Sequence, residues 1–163
     1  MSKNKIHKTN AARILDLHKI NYTLISYEVD ENDLSAVHVA EILGENIKQV
    51  FKTLVLQGDK TGYFVCVVPG DEDIELKQMA IISKNKKCDL IPMKSLLNLT
   101  GYIRGACSPI GMKKLFPTYI EESCLHFKSI YISAGQRGLQ IQINPEDLIK
   151  LIHAEVFRNT VSG

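Results

Sequence analysis

Val50-Phe-Lys-Thr-Leu-Val-Leu-Gln57 and Gly62-Tyr-Phe-Val-Cys-Val-Val-Pro69 are two β-rich runs flanking Gly58-Asp-Lys-Thr61, a hairpin turn by composition. Side chains alternate along a strand, so Val50, Lys52, Leu54 and Leu56 share one face and a lysine stands in an otherwise apolar row. Burying an ammonium is costly unless it meets an anion or a dipole. Lys52 therefore has two readings. Its stem covers the sheet while its head reaches water, or it is a cation at the floor of a cleft, facing a phosphate, a carboxylate or a polarised carbonyl.

Upstream of the hairpin, Thr9 caps a helix running to about Ile20, and Tyr22–Val29 is β-rich, with Tyr22 and Tyr27 on opposite faces. Ser35 opens a second helix that Gly44 stops. Downstream, Glu75–Ile82 reads as a helix, Asp89–Ile91 as a short strand and Pro92–Leu99 as a short helix, while residues 100–118 are irregular. Ser129–Ser133 and Leu139–Ile143 read as strands. Asn144-Pro-Glu-Asp147 starts a helix expected to run to about Phe157, because Asn caps, Pro fits the first helical position and the acids face the dipole. Strands and helices mix without a βαβ rhythm. The expected fold is mixed α/β (α+β): one domain over residues 1–163, with a mixed, largely antiparallel sheet or partly closed barrel surrounded by helices.

Composition narrows the function. The chain has 163 residues, 45% hydrophobic and 23% charged, as in a globular domain. Its apolar runs are too short for a membrane span, and the polar opening Met1–Lys8 has no secretory core, so a cytoplasmic protein is expected. A net charge of +2 argues against a dedicated duplex binder, although Lys84/Lys86/Lys87 and Lys113/Lys114 permit a modest phosphate contact. Cys66, Cys88, Cys107 and Cys124 form no C-x-x-C pair, and none of the five histidines has metal-ligand spacing. Free thiols, no metal and no cofactor are expected.

Two further segments carry chemistry. In Thr100-Gly-Tyr-Ile-Arg-Gly-Ala-Cys-Ser-Pro-Ile-Gly-Met-Lys-Lys114, glycines could bring main-chain N–H groups close to a ligand, or simply shape a surface loop. The spacing fits no Walker-type or dinucleotide fingerprint. Cys107 and Ser108 could act as nucleophiles only with a base such as His126 or His153 in reach, which the sequence does not show. Gly135-Gln-Arg-Gly138 is a turn between strands or a second glycine-rich wall.

Val50-Phe-Lys-Thr-Leu-Val55, Gly101-Tyr-Ile-Arg-Gly105, Ser108-Pro-Ile-Gly-Met-Lys-Lys114 and Ser133-Ala-Gly-Gln-Arg-Gly-Leu139 occur in the order and spacing of the YbaK/EbsC family. The chain resembles that family's free-standing Cys-tRNA(Pro) deacylase branch from about Thr9 to Phe157. The resemblance implies a compact α/β domain whose cleft holds the aminoacylated 3′ end of tRNA, with Lys52 as the essential residue. It also implies substrate contacts from Tyr27, Gly101, Ser108, Pro109, Ile110, Gly111, Gly135, Gly138 and Gln140, with Tyr22 a rival to Tyr27 by strand phase. Two positions depart from the pattern. Gln140 stands where well-known members carry an acid, and Cys107 where relatives often have a small residue.

The implied activity is trans-editing: release of cysteine from mischarged Cys-tRNA(Pro). A pocket built for proline discriminates against a similar small side chain by only ~10–200-fold, so a second sieve is needed. In this branch the substrate's own thiol attacks the ester, and the protein supplies orientation and electrostatics. Gln140 keeps open hydrolysis of an alanyl, seryl or threonyl ester instead. A non-catalytic module binding tRNA or a synthetase is the alternative from another class. The family also suggests a ternary complex with prolyl-tRNA synthetase.

Overall fold

The computed structural model describes residues 7–159; Met1–Ile6, most of the polar opening segment, lie outside them, as do the last four residues. The capping signals hold locally. Helix α1 (Asn10–Leu17) starts at Thr9, whose side chain accepts from the Ala12 N–H. After strand β1 (Tyr22–Ser26), helix α2 (Ala36–Leu43) starts at Ser35 and stops at Gly44, which takes the left-handed conformation with φ 68°. The hairpin is β2 (Phe51–Gly58) and β3 (Gly62–Pro69), in register from Phe51↔Pro69 to Gly58↔Gly62. There follow α3 (Leu76–Ile82), β4 (Cys88–Leu90), α4 (Leu96–Thr100), β5 (Thr118–Glu121), β6 (Ile130–Gln136), β7 (Leu139–Ile143), α5 (Pro145–Ile152) and β8 (Glu155–Phe157).

The strands form two sheets, one ordered β1-β7-β6 and antiparallel, the other ordered β4-β2-β3-β5-β8. The second is mixed, because β5 pairs parallel with both β3 and β8. A single parallel bridge, Val50↔Tyr131, ties the two together. No barrel closes. Past that bridge β6 shifts register between Ser133 and Gln136, and such a bulge bends a strand away from its neighbour. On its far edge β2 pairs with β4 only at Leu56–Gly58. On the side away from β3, Lys52–Leu54 therefore have no strand partner among the described residues, and the candidate site lies there.

Three clusters hold this frame. Phe51, Val55, Val65 and Val67 of the larger sheet meet Ile130, Ile132, Ile141 and Ile143 of the smaller, closed off by Leu15 of α1 and Leu148 of α5. On the other face, Leu56, Phe64, Cys66 and Val68 pack under Met79 and Ala80 of α3. Val50, Tyr131 and Ala40 form a third, smaller cluster beneath α2. Burying each large aliphatic chain contributes about 1.5–3 kcal/mol, so the two larger clusters dominate stability.

Helix α5 stops at Ile152, short of Phe157. His153 takes a left-handed C-cap at φ 54° and releases the chain into β8. Among the described residues no helix is long and apolar enough to cross a membrane.

Candidate active site

Register places the polar side chains in one row. Val50 packs against Tyr131, so by alternation Lys52, two residues on, shares the face of Ser133, two residues beyond Tyr131. Ser133 is opposite Gln140, and Gln140 is opposite Ile25. Residues from β2, β6, β7 and β1 thus cross both sheets in sequence, with Lys52 at one end of the polar stretch. Leu34 and the first turn of α2 (Ser35, Ala36, Val39) cover one side of this row, and Arg104, Gly105 and Cys107 cover another. The half-open hollow between them is about 340 Å³, at the small end of the ~300–1,000 Å³ of ligand sites.

Two observations define its chemistry. Among the described residues its walls carry Lys52 and Arg104 and no carboxylate. The positive end of α2 adds to the same sign. Gln140 is buried at 5% exposure, and neither its Oε1 nor the Thr53 Oγ1 has a hydrogen-bond partner among the described residues. An unpaired buried polar group costs about 1–3 kcal/mol. Both residues line the hollow, although these two oxygens are themselves closed to solvent.

The glycine-rich loop is fixed by contacts that the sequence did not reveal. Ser133 Oγ donates to the Ala106 carbonyl at 2.9 Å and accepts from the Gly135 N–H at 3.0 Å. Arg137 is held on both sides: its Nε donates to the Arg104 carbonyl at 2.8 Å and its Nη1 to Glu31 at 3.0 Å. The turn after β6 thereby clamps the wall of the cleft.

Of the residues expected in the site, the structure brings Lys52 and Gln140 to this hollow. Tyr27 follows β1 on the face of Ile25, opposite Gln140's strand, with its N–H on the Gly138 carbonyl; it does not line the hollow. Tyr22 lies on the other face, and its hydroxyl bonds to Asp16 at 2.9 Å. Gly101 ends α4 with φ 86°, and Ser108 is fully buried, its Oγ accepting from the Ile110 N–H. Pro109, Ile110 and Gly111 line a separate hollow with Ile14 and His18. At Gly135, with φ 99°, a β-carbon would sit 2.8 Å from the Tyr102 ring, and at Gly138 one would sit 3.0 Å from Val29. The glycines therefore admit Tyr102 and Val29 and shape the wall from behind. Sequence reasoning missed Thr53, Ser133 and the α2 turn. Thr53 is adjacent to Lys52, but only the unpaired strand edge makes it part of the cleft.

Cys107 lines the hollow, yet burial pushes its thiol up to about 12. A thiol held protonated is a poor nucleophile. Neither His126 nor His153 lines the cleft to deprotonate it. Cys107→Ala is expected to keep activity within about twofold, a loss of one small buried group. A folded but inactive variant, judged by its circular dichroism, would put a protein thiol in the reaction. Among the described residues no group of three or more His, Cys, Asp or Glu could hold a metal ion.

Fold and cleft together define a small mixed α/β domain with a ligand-sized, cationic, carboxylate-free hollow over a strand lysine. The family model of the aminoacyl-tRNA editing domain matches residues 30–151. EbsC of Enterococcus faecalis, assigned by name as a Cys-tRNA(Pro)/Cys-tRNA(Cys) deacylase, is 46% identical over 95% of both chains. A stretch of the proline–tRNA ligase of Fervidobacterium nodosum is 28% identical over 50% of this chain and 14% of that enzyme. The crystal structure of a protein assigned as a trans-editing enzyme for prolyl tRNA synthetase superposes with TM-score 0.79 at 20% identity, covering 96% of this chain and 100% of the other. The chain belongs to the aminoacyl-tRNA editing domain family.

Proposed function

We propose that the Lys52 cleft removes cysteine from mischarged Cys-tRNA(Pro). The observation that carries the reading is the composition of the hollow: one strand lysine and one arginine, and no carboxylate among the described residues. Such a hollow favours a group that gains negative charge. The carbonyl oxygen of an ester under attack is one, and an ionising substrate thiol is another.

Lys52 polarises the ester carbonyl and holds the oxyanion, with Gln140 and Ser133 on the wall beside the aminoacyl moiety. The substrate Sγ forms a bond to the carbonyl carbon and the bond from that carbon to the ribose oxygen breaks. The thiol proton ends on the departing ribose hydroxyl, leaving free tRNA and a small cyclic thioester that water opens to cysteine. The chain supplies position and field, effects worth many orders of magnitude when the reacting atoms belong to one molecule. The high-lying Cys107 thiol supports a route without a protein nucleophile.

The protein would act as one domain in the cytoplasm, on tRNA charged by prolyl-tRNA synthetase. The similarity to a stretch of a proline–tRNA ligase supports association with that enzyme. Tyr27 stands close enough in the fold to steady the β1–β7 edge of the site, and the loop glycines keep its wall in place. Release rates from cysteinyl, alanyl and seryl tRNA test the assignment. Equal rates for all three would favour a water-dependent deacylase of broader range.

A further inference from the structure

The chain is nearly neutral, but its charge is segregated. Between Asp89 and Glu121 there is no acidic residue, while Lys94, Arg104, Lys113 and Lys114 all fall there. The structure folds the central part of this stretch against α1. A β-carbon on Gly111 would meet Asn10 and Ile14 at 3.2 Å, and the Lys113 side chain lies across Gly101. The Lys113 N–H closes the loop on the Thr100 carbonyl at 3.1 Å. Lys114 and His18 line the hollow behind this loop, and Arg13 is exposed on the adjoining surface of α1. The acid of α1, Asp16, is bound by Lys8 and the Tyr22 hydroxyl.

Arg13, Arg104, Lys113 and Lys114 are all exposed, and none has an ion-pair partner among the described residues. Lys48, Arg137 and Arg158, by contrast, are each paired to carboxylates. The loop that carries Lys113 and Lys114 is continuous with the wall of the cleft, since Arg104, Gly105 and Cys107 line the cleft itself. A strand whose end occupies the hollow would be led out past Arg104 and onto the two lysines.

We infer that this face, from Arg104 over Lys113 and Lys114 to Arg13, docks the phosphate backbone of the tRNA acceptor stem. The inference rests on the deacylase reading for the identity of its nucleic acid. The other lysine cluster does not serve. Lys86 and Lys87 stand at the hairpin end, where their N–H groups bond to Asp59, with Asp89 close in sequence. Gly58 is six residue steps along the strand from Lys52, a span of roughly 20 Å at ~3.3 Å per residue.

The test measures affinity for uncharged tRNA(Pro) by fluorescence anisotropy, as a function of salt, for the wild type, Lys113→Ala/Lys114→Ala and the control Lys86→Ala/Lys87→Ala. Each phosphate contact adds about 0.9 to the slope of log affinity against log salt. The first pair should lower that slope by nearly two, so that its loss of affinity relative to the wild type shrinks roughly tenfold between 0.05 and 0.2 M salt; the control should match the wild type. Cleavage of cysteinyl-adenosine, which has no stem, should be the same in all three proteins. Equal loss in both variants, no loss in the first, or loss of cysteinyl-adenosine cleavage in the first would overturn the docking face. Wild-type protein that binds tRNA with the expected slopes but never cleaves the cysteinyl ester would refute the deacylase reading and leave the docking face standing.

Discussion

Lys52→Met should lower deacylation of Cys-tRNA(Pro) by at least about 10²–10³-fold, the effect of removing one donor aimed at a developing oxyanion. The mechanism makes the loss this large because, among the described residues, Arg104 is the only other charged side chain lining the hollow. Methionine keeps the unbranched stem that covers the sheet, so the substitution removes charge with little change in packing. Lys52 is half-buried and forms no ion pair among the described residues, so no partner is left stranded. Stability should move by no more than about 0.5–1 kcal/mol, read as a shift of a few degrees in the melting temperature. Turnover close to wild type from a folded Lys52→Met protein would remove the lysine from the chemistry.

The second large effect is expected on the substrate side. Replacing the cysteinyl group by alanyl or seryl removes the attacking sulfur while changing the volume of the side chain very little. A pocket that merely sorts by size separates such neighbours by roughly 10–200-fold. Loss of an intramolecular nucleophile costs far more, since effective molarities reach about 10⁵–10⁸ M. Cysteinyl tRNA should therefore be cleared at least about 10³ times faster than alanyl or seryl tRNA in single-turnover reactions. Discrimination of only tenfold would leave a water-dependent hydrolysis with a size filter. Gln140, a neutral amide in the floor of the hollow, fits a site that does not rely on a carboxylate general base.

How much of this was legible beforehand depends on whether the deciding contacts are local. Thr9, Ser35, Gly44, Asn144 and Pro145 act through their own turn of helix, and each does what its side chain dictates. The β2–β3 hairpin is equally local. Strands β5 and β8 escaped because each is short and gains its identity only from parallel partners distant in sequence. His153 ends α5 where no glycine announces it.

In the site, the phase of Lys52 could be read from Val50, Leu54 and Leu56. Its neighbours could not, because the row through Ser133 and Gln140 exists only by virtue of one bridge between Val50 and Tyr131. The role of the glycines could not be read for a physical reason. A missing β-carbon admits any close neighbour, and at Gly135 that neighbour is the Tyr102 ring. Arg137 likewise sits in what the sequence shows only as a turn or a glycine-rich wall, and only the fold reveals the Arg104 carbonyl to which it donates.

The central claim is that the acylated ribose sits over Lys52. The most direct measurement is an NMR titration with cysteine joined to 3′-amino-3′-deoxyadenosine through an amide, an analogue that cannot be cleaved. The account predicts perturbed signals at Lys52, Thr53, Ser133 and the Gln140 side-chain amide, lost in Lys52→Met. Perturbations confined to the separate hollow of Ile14, His18 and Ile110, with the Lys52 row unmoved, would contradict it.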